Sequence, residues 1–414
     1  AARPLGADMQ RLHFLTQNAR WLLVPSLMTF GSGFGQTFFI SLFAGEIRTE
    51  YALSHSAWSG YYAGGTLASA LLMMLVGGMA DRLPARRITL LVIVLFALSA
   101  GAMAGLPAVW ALPVVIFGLR FCGQGMMGLL AMVFAGRWFV SSRGKVVAIA
   151  SVGFSLGESI FPFVFVLVMG AFGWRSAWLV AAAVLLALGL LLARLMRVER
   201  QPAAANGANP QRQTGMNNVH WTRRTMLGNW VFWVGFPAFL VQPMVGTVFM
   251  FQQVHMVEIK GWALADFAAL FPLYSLTGLV SVFVFGVLAD RVRISWIMPF
   301  YLAPLALGMV VVAQGDGLQH AAIGLVLLGI MQGAGTTVSG VFWPEYYGTR
   351  NLGAIRSLAT AIMVFATALG PLLSGIGLDS GLRYESQLYI MSGMALAGCL
   401  LLAIVALGTR RARA

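Results

Sequence analysis

Between Trp58 and Leu106 the chain reads WSGYYAGGTLASALLMMLVGGMADRLPARRITLLVIVLFALSAGAMAGL. Two apolar runs flank a short hinge, Gly77 to Arg87, that carries Asp81, Arg82, Arg86 and Arg87. A helix needs about 20 mostly apolar residues to cross a hydrocarbon core, and each run is of that length. A basic hinge between two crossings is retained on the cytoplasmic side. This stretch therefore predicts two membrane-spanning helices joined on the inner face.

The alternation continues outward in both directions. Apolar runs lie near 22–44, 58–80, 88–106, 110–134, 146–171 and 175–196. A second set lies near 226–250, 265–288, 296–314, 320–342, 353–377 and 387–408. Composition agrees, since 59% of the residues are hydrophobic and 10% charged, whereas a soluble domain carries about 25% charged residues. Mean hydropathy is +0.83. The stretch Gln201 to Asn218 is polar, lacks apolar periodicity and reads as a linker. The expected fold is an all-α polytopic membrane protein with twelve transmembrane helices in two six-helix pseudo-repeats. Residues 1–200 form the N-terminal bundle, 201–222 a cytoplasmic linker and 223–414 the C-terminal bundle.

The net charge of +14 does not imply a nucleic-acid partner, because the charge sits in short loops between apolar runs; the expected partner is the lipid bilayer. With the N-terminus inside, all but five of the 27 Lys and Arg fall in cytoplasmic segments. Arg48, Arg175, Lys260 and Arg383 lie on the other side and Arg120 within a span. This asymmetry supports the span order and places both termini in the cytoplasm. Arg outnumbers Lys 25 to 2, which suggests a bacterial inner-membrane protein. The first apolar run is long and follows a basic segment, so it reads as a retained span rather than a cleaved leader. Cys122 and Cys399 lie inside apolar runs, so no disulfide or cysteine metal site is expected.

The two halves repeat. Trp21 and Trp230 open the first span of each, 209 residues apart; Gly77 with Asp81-Arg82 matches Gly286 with Asp290-Arg291 at the same offset. Gln124-Gly125 matches Gln332-Gly333 at 208, and Pro162 matches Pro371 at 209. Landmarks in one order at one offset mark an internal duplication. Two six-span halves around a central site is a recurrent transporter plan.

The hinge Gly77 to Arg87 resembles the G-x-x-x-D-R-x-G-R-R loop of the major facilitator superfamily, with Pro84 in the place of a Gly. The resemblance implies that Asp81, Arg82, Asp290 and Arg291 gate the transporter as a latch of charged pairs and helix caps. Within the superfamily the chain is similar to the monocarboxylate-transporter branch. The likeness is carried by Gly33-Phe34-Gly35-Gln36-Thr37-Phe38 with Glu46, and by Trp138-Phe139 with Arg143-Gly144-Lys145, Gly153 and Gly157. Glu345, Gly348, Gly353, Gly370-Pro371, Gly375 and Asp379 extend it. Two departures stand out. Gln36 occupies the place of that branch's first-span Lys, and residues 268–288 hold neither its Asp nor its Arg, offering Gly278 and Val282 instead.

Two charges lie deep in the spans, Arg120 and Glu158, at about 15 and 20 Å from the outer ends of their helices at 1.5 Å per residue. Intramembrane charges cost about 3 kcal/mol or more unless paired or wetted, and they mark function. Arg120 is the candidate substrate-binding cation, because a guanidinium fork fits a carboxylate; the alternative is a structural pair with Glu158. Glu158 is the candidate proton-coupling group: a solute at Arg120 would draw the guanidinium away and leave the carboxyl to a proton. Gln36, Tyr62, Gln124, Gln242, Tyr274 and Gln332 are candidate cavity-lining, substrate-binding residues, with interhelical hydrogen bonding as the alternative for each Gln. Glycine runs lack a Walker-type Gly-Lys-Ser/Thr, and the methionines and histidines show no ligand spacing. No catalytic set, metal or cofactor is expected. The reading is a secondary transporter of a small organic anion, monocarboxylate-like, with protons as the expected coupling ion. The alternatives are an exporter of neutral or cationic molecules and a non-transporting sensor of the same fold.

Overall fold

The computed structural model describes residues 5–76, 83–139, 143–198 and 214–409, and among them every regular element is helical. Fourteen helices carry the architecture. In the first half they are α1 (Leu5–Ser32), α2 (Ala44–Glu50), α3 (His55–Val76), α4 (Ala85–Ala104), α5 (Val109–Trp138), α6 (Arg143–Phe172) and α7 (Trp174–Leu195). In the second they are α8 (Trp230–Phe251), α9 (Gln253–Lys260), α10 (Leu264–Arg291), α11 (Ala303–Gln314), α12 (Leu318–Tyr347), α13 (Leu352–Asp379) and α14 (Tyr384–Gly408). The duplication persists in the helices. Starts at His55, Ala85, Val109 and Arg143 recur 209 residues later at Leu264, Ile294, Leu318 and Leu352, and Trp174 recurs 210 later at Tyr384.

Ten of these helices are long and apolar enough to span a membrane, and the bent pair Thr16–Gly35 with Thr37–Glu50 makes an eleventh. The span expected at 296–314 is divided. A short helix, Ile294–Ile297, is followed by a turn, and α11 begins afresh at Ala303 with a proline in its first turn. A proline there starts a helix well and cannot continue one, so α11 is only 12 residues long.

Two compact units emerge, and they differ from the two sequence halves. Ala1–Phe39 joins Ala68–Ala208, whereas Ile40–Leu67 joins Asn209–Ala414. In the first unit, α1 lies on α6 through small residues. A Cβ added at Gly153 would strike the Ser26 carbonyl and come within 2.6 Å of Thr29 Oγ1. Ser26 and Thr29 hydroxyls donate across to the Ile149 and Ala150 carbonyls at 3.1 and 2.6 Å. Without a hydrophobic drive between helices in lipid, such close approach and such bonds hold spans together, at about 0.6 kcal/mol per bond. Phe34, Phe39, Phe161, Phe165 and Trp178 fill the core beneath. In the second unit α10 lies on α12, where a Cβ at Gly329 would come within 2.7 Å of the Tyr274 carbonyl. Large apolar side chains such as Leu75, Leu190 and Leu400 stand outward at 81%, 69% and 67% exposure. An outer surface of this kind suits hydrocarbon rather than water.

Candidate functional site

The first span is broken within its length. After α1 the chain makes a tight 3-10 turn at Gly33–Gly35, extends at Gln36 (φ −86°, ψ 157°) and resumes as Thr37–Ile40, with a 44° bend across the break. Gly35 is required here. A Cβ on it would run into the Leu119 carbonyl and the Gly123 Cα, the latter at 2.8 Å, so α1 touches α5 backbone to backbone. Irregular backbone at membrane depth persists only where protein or a water-lined cavity satisfies it.

Arg120 supplies that satisfaction. Its Nη1 donates to the Gly35 carbonyl at 3.1 Å and to Thr37 Oγ1 at 3.4 Å, and the residue is 1% exposed. The Gly35 carbonyl ends a helical turn, where partial negative charge favours a cation. From Arg120 to Met127 the α5 backbone winds as a π-helix. Such wide turns are rare and concentrate at functional sites. Glu158, 7% exposed, is buried on α6 beside Gly157, and a Cβ on Gly157 would come within 2.9 Å of the Phe30 carbonyl of α1. Arg120 and Gly157, the neighbour of Glu158, thus border one stretch of the first span, from Phe30 to Thr37.

The other candidates fall into two groups. Gln36 and Gln124 are half-buried, and both lie at the α1–α5 contact: Gln36 follows Gly35, and a Cβ on Gly35 would lie 3.2 Å from Gln124 N. In the second unit, Gln242 packs over Gly335 and Tyr274 lies beside Gly329, so both converge on the part of α12 that holds Gln332. Tyr62 is elsewhere: fully buried, its ring sits 4.6 Å from that of Phe251 at the far end of α8. Asp290 and Arg291 end α10 exposed, and neither forms an ion pair among the described residues. Asp81 and Arg82 lie outside the described residues.

The sequence reading missed a polar network where α8 gives way to α9. Ser41 Oγ donates to the Met250 carbonyl and Gln253 Nε2 donates to Ser41 Oγ, both at 2.7 Å. Gln252 Nε2 donates to Ser374 Oγ at 3.3 Å, and Ser374 donates on to Gln387 Oε1 at 2.5 Å. The paired Gln252-Gln253 at the end of an apolar run was the available signal.

Residues 26–318 and 244–414 match the Major Facilitator Superfamily. The chain belongs to that superfamily. This facilitator is similar in fold to a bacterial homolog of the human lysosomal transporter Spinster, in an inward-facing and unoccupied conformation. The identity is 16% and the TM-score 0.69, over 96% of this chain and 97% of that one. It is similar also to the nucleoside transporter NupG, at 15% identity and TM-score 0.69 over 93% and 99% of the two chains. No curated protein matches it. The facilitator is a multi-pass membrane transporter for a small-molecule substrate, and not an enzyme.

Proposed function

We propose that this facilitator is a secondary transporter that moves a small organic anion, monocarboxylate-like, by alternating access. The observation that carries the reading is the buried Arg120 guanidinium bonded to the Gly35 carbonyl at the break in the first span. A solute carboxylate offers the fork two charged oxygens, a stronger acceptor than the Gly35 carbonyl. Its arrival competes with Gly35 and Thr37 for Arg120, so occupancy is tied to the bend of the first span. Gln36 and Gln124 flank the same point and serve as polar contacts. Gln242, Tyr274, Gln332 and Tyr62, in the second unit, are proposed as further substrate contacts. Glu158 is the proposed proton carrier, neutral when the solute holds Arg120. Asp81 with Arg82 and Asp290 with Arg291 act as gating latches. The basic asymmetry of the loops supports a bacterial inner-membrane setting with both termini cytoplasmic.

A second reading, transport of a neutral or cationic molecule, is favoured by the 1% exposure of Arg120, which suits a structural strut. The likeness to a nucleoside transporter fits it as well. Uptake into proteoliposomes separates the two. Saturable, pH-dependent uptake of radiolabelled small carboxylates, reduced at least tenfold by Arg120→Gln, is the expected result. Full carboxylate uptake by Arg120→Gln, or nucleoside uptake that carboxylates do not inhibit, overturns the anion reading.

A further inference from the structure

Away from the Arg120 site, the second unit holds a pair of histidines that the transport reading does not use. His55 is the first residue of α3 and His255 lies on α9. Their rings meet edge to face, with centroids 4.6 Å apart at 73°. Below them Trp58 stacks on Phe251 at 5.9 Å, and Tyr62 meets the same ring at 4.6 Å. His55, Trp58 and Tyr62 fall on one face of α3 at i, i+3 and i+7. They form an aromatic seam against α8 and α9, and the histidine pair closes its end. We propose that His55 and His255 form a proton-binding latch, which holds the N-terminal end of α3 against α9 while both rings are neutral and releases it when they are protonated.

Two neutral imidazoles pack edge to face as other aromatic rings do. Two imidazolium cations at that separation repel. Every neighbouring element brings charge to bear on the pair. From α2, Arg48 acts on both rings. On α9, Glu258 lies one turn along, with its Oε2 4.0 Å from His255 Nδ1. From α14, the Tyr384 ring stands 5.9 Å from His255, and Glu385, itself 3.5 Å from Arg383, acts on it. From α13, Asp379 acts on His55, and its two carboxylate oxygens accept from the backbone N–H groups of His55 at 3.0 Å and Ser56 at 2.8 Å. The acidic groups accommodate one proton on His255. A second, on His55, meets both Arg48 and the new cation. Asp379 keeps α3 tethered to α13, so the contact that parts is the one between α3 and α9.

The direction of the effect is set by His255, which lies outside the spanning segments. Burial holds its pKa below the ordinary value, Arg48 lowers it further, and Glu385 opposes the shift. A histidine held low is neutral in the packed arrangement, so that arrangement is favoured at pH above the free-imidazole value of about 6.5. It loses ground as pH falls below that value. His255 keeps 19% of its side-chain surface accessible, so protons reach it.

The test requires no solute, so its outcome is independent of whether Arg120 binds an anion. Spin labels at Ala52→Cys and Ile259→Cys, in lipid nanodiscs with one pH on both faces, report the separation of the α3 end from α9. In the otherwise wild-type protein, the fraction at the longer distance should rise from pH 8 to pH 5, with a midpoint below about 6.5. The His55→Gln/His255→Gln double variant should reduce that rise at least fivefold. His255→Phe keeps a ring in the seam but takes no proton, so it should also be flat even where the double variant folds poorly. Asp379→Asn removes a carboxylate that favours a proton on His55, so it should move the midpoint to lower pH. The latch is overturned if the otherwise wild-type distance does not change with pH, or if the profile survives in His255→Phe.

Discussion

Gly35→Ala is the most exacting probe of the site. A Cβ there meets the Leu119 carbonyl, the Gly123 Cα at 2.8 Å and Gln124 N at 3.2 Å. All three are backbone atoms, so no side chain can rotate away and α1 must part from α5. Overpacking costs about 1–3 kcal/mol where side chains adapt. With backbone on both sides the upper figure applies, about 3 kcal/mol. At roughly 2–4 °C per kcal/mol for a unit of about 150–250 residues, the melting temperature should fall by roughly 6–12 °C. Gly128→Ala is the matched control, because a Cβ there meets nothing within 4 Å and alanine is the better helix former. It should melt at or above the wild-type temperature. Melting followed by circular dichroism in detergent micelles reads both. Uptake should also fall in Gly35→Ala, since parting α1 from α5 draws the Gly35 carbonyl off Arg120. A Gly35→Ala protein that melts within about 2 °C of wild type would refute the backbone contact and, with it, the positioning of Arg120.

Three further outcomes follow from other contacts. Asp379→Ala removes the carboxylate that caps α3 at His55 and Ser56; it should cost about 1–2 kcal/mol, with hydrogen exchange quickening at those two amides before any others. Ser41→Ala removes the bonds to the Met250 carbonyl and Gln253; a loss of about 1–2 kcal/mol is expected in a chemical-denaturation titration, whereas the exposed Ser151→Ala should be near neutral. Thermal stability should decline as pH drops below about 6.5, because the folded protein holds His255 neutral. A melting series across pH should show a shallower decline in His255→Gln.

The spans and the duplication were legible because hydrocarbon leaves no choice. Each crossing must satisfy its own backbone, so helices announce themselves as apolar runs of one length. Breaks inside two of the apolar runs were not legible for the same reason. Residues 22–44 and 296–314 are apolar throughout, and hydropathy does not register a break whose cause lies on another helix or in a single proline. At the site, the depths of Arg120 and Glu158 were readable, but the partner of Arg120 was not. That partner is the carbonyl of Gly35, a group every residue possesses and no letter distinguishes. His55 and His255 were visible only as histidines without ligand spacing, because 200 positions of chain separate two rings that touch.

The composition of the break bears on why a cation sits there at all. An unbroken first helix would satisfy its own carbonyls and need no donor from α5. A broken one needs a donor, yet a neutral Gln or Ser would serve. Arg brings a full charge into a position where charge costs about 3 kcal/mol or more, and the residue is 99% withdrawn from the surface. The Gly35 carbonyl and the Thr37 hydroxyl contribute to offsetting that cost. Glu158 is buried on α6 next to Gly157, which touches the first span at Phe30. The proposed carriage of an anion gives that charge a use, because a carboxylate competes with the Gly35 carbonyl for the guanidinium. On that proposal, the geometry of the first span follows the charge of what is carried.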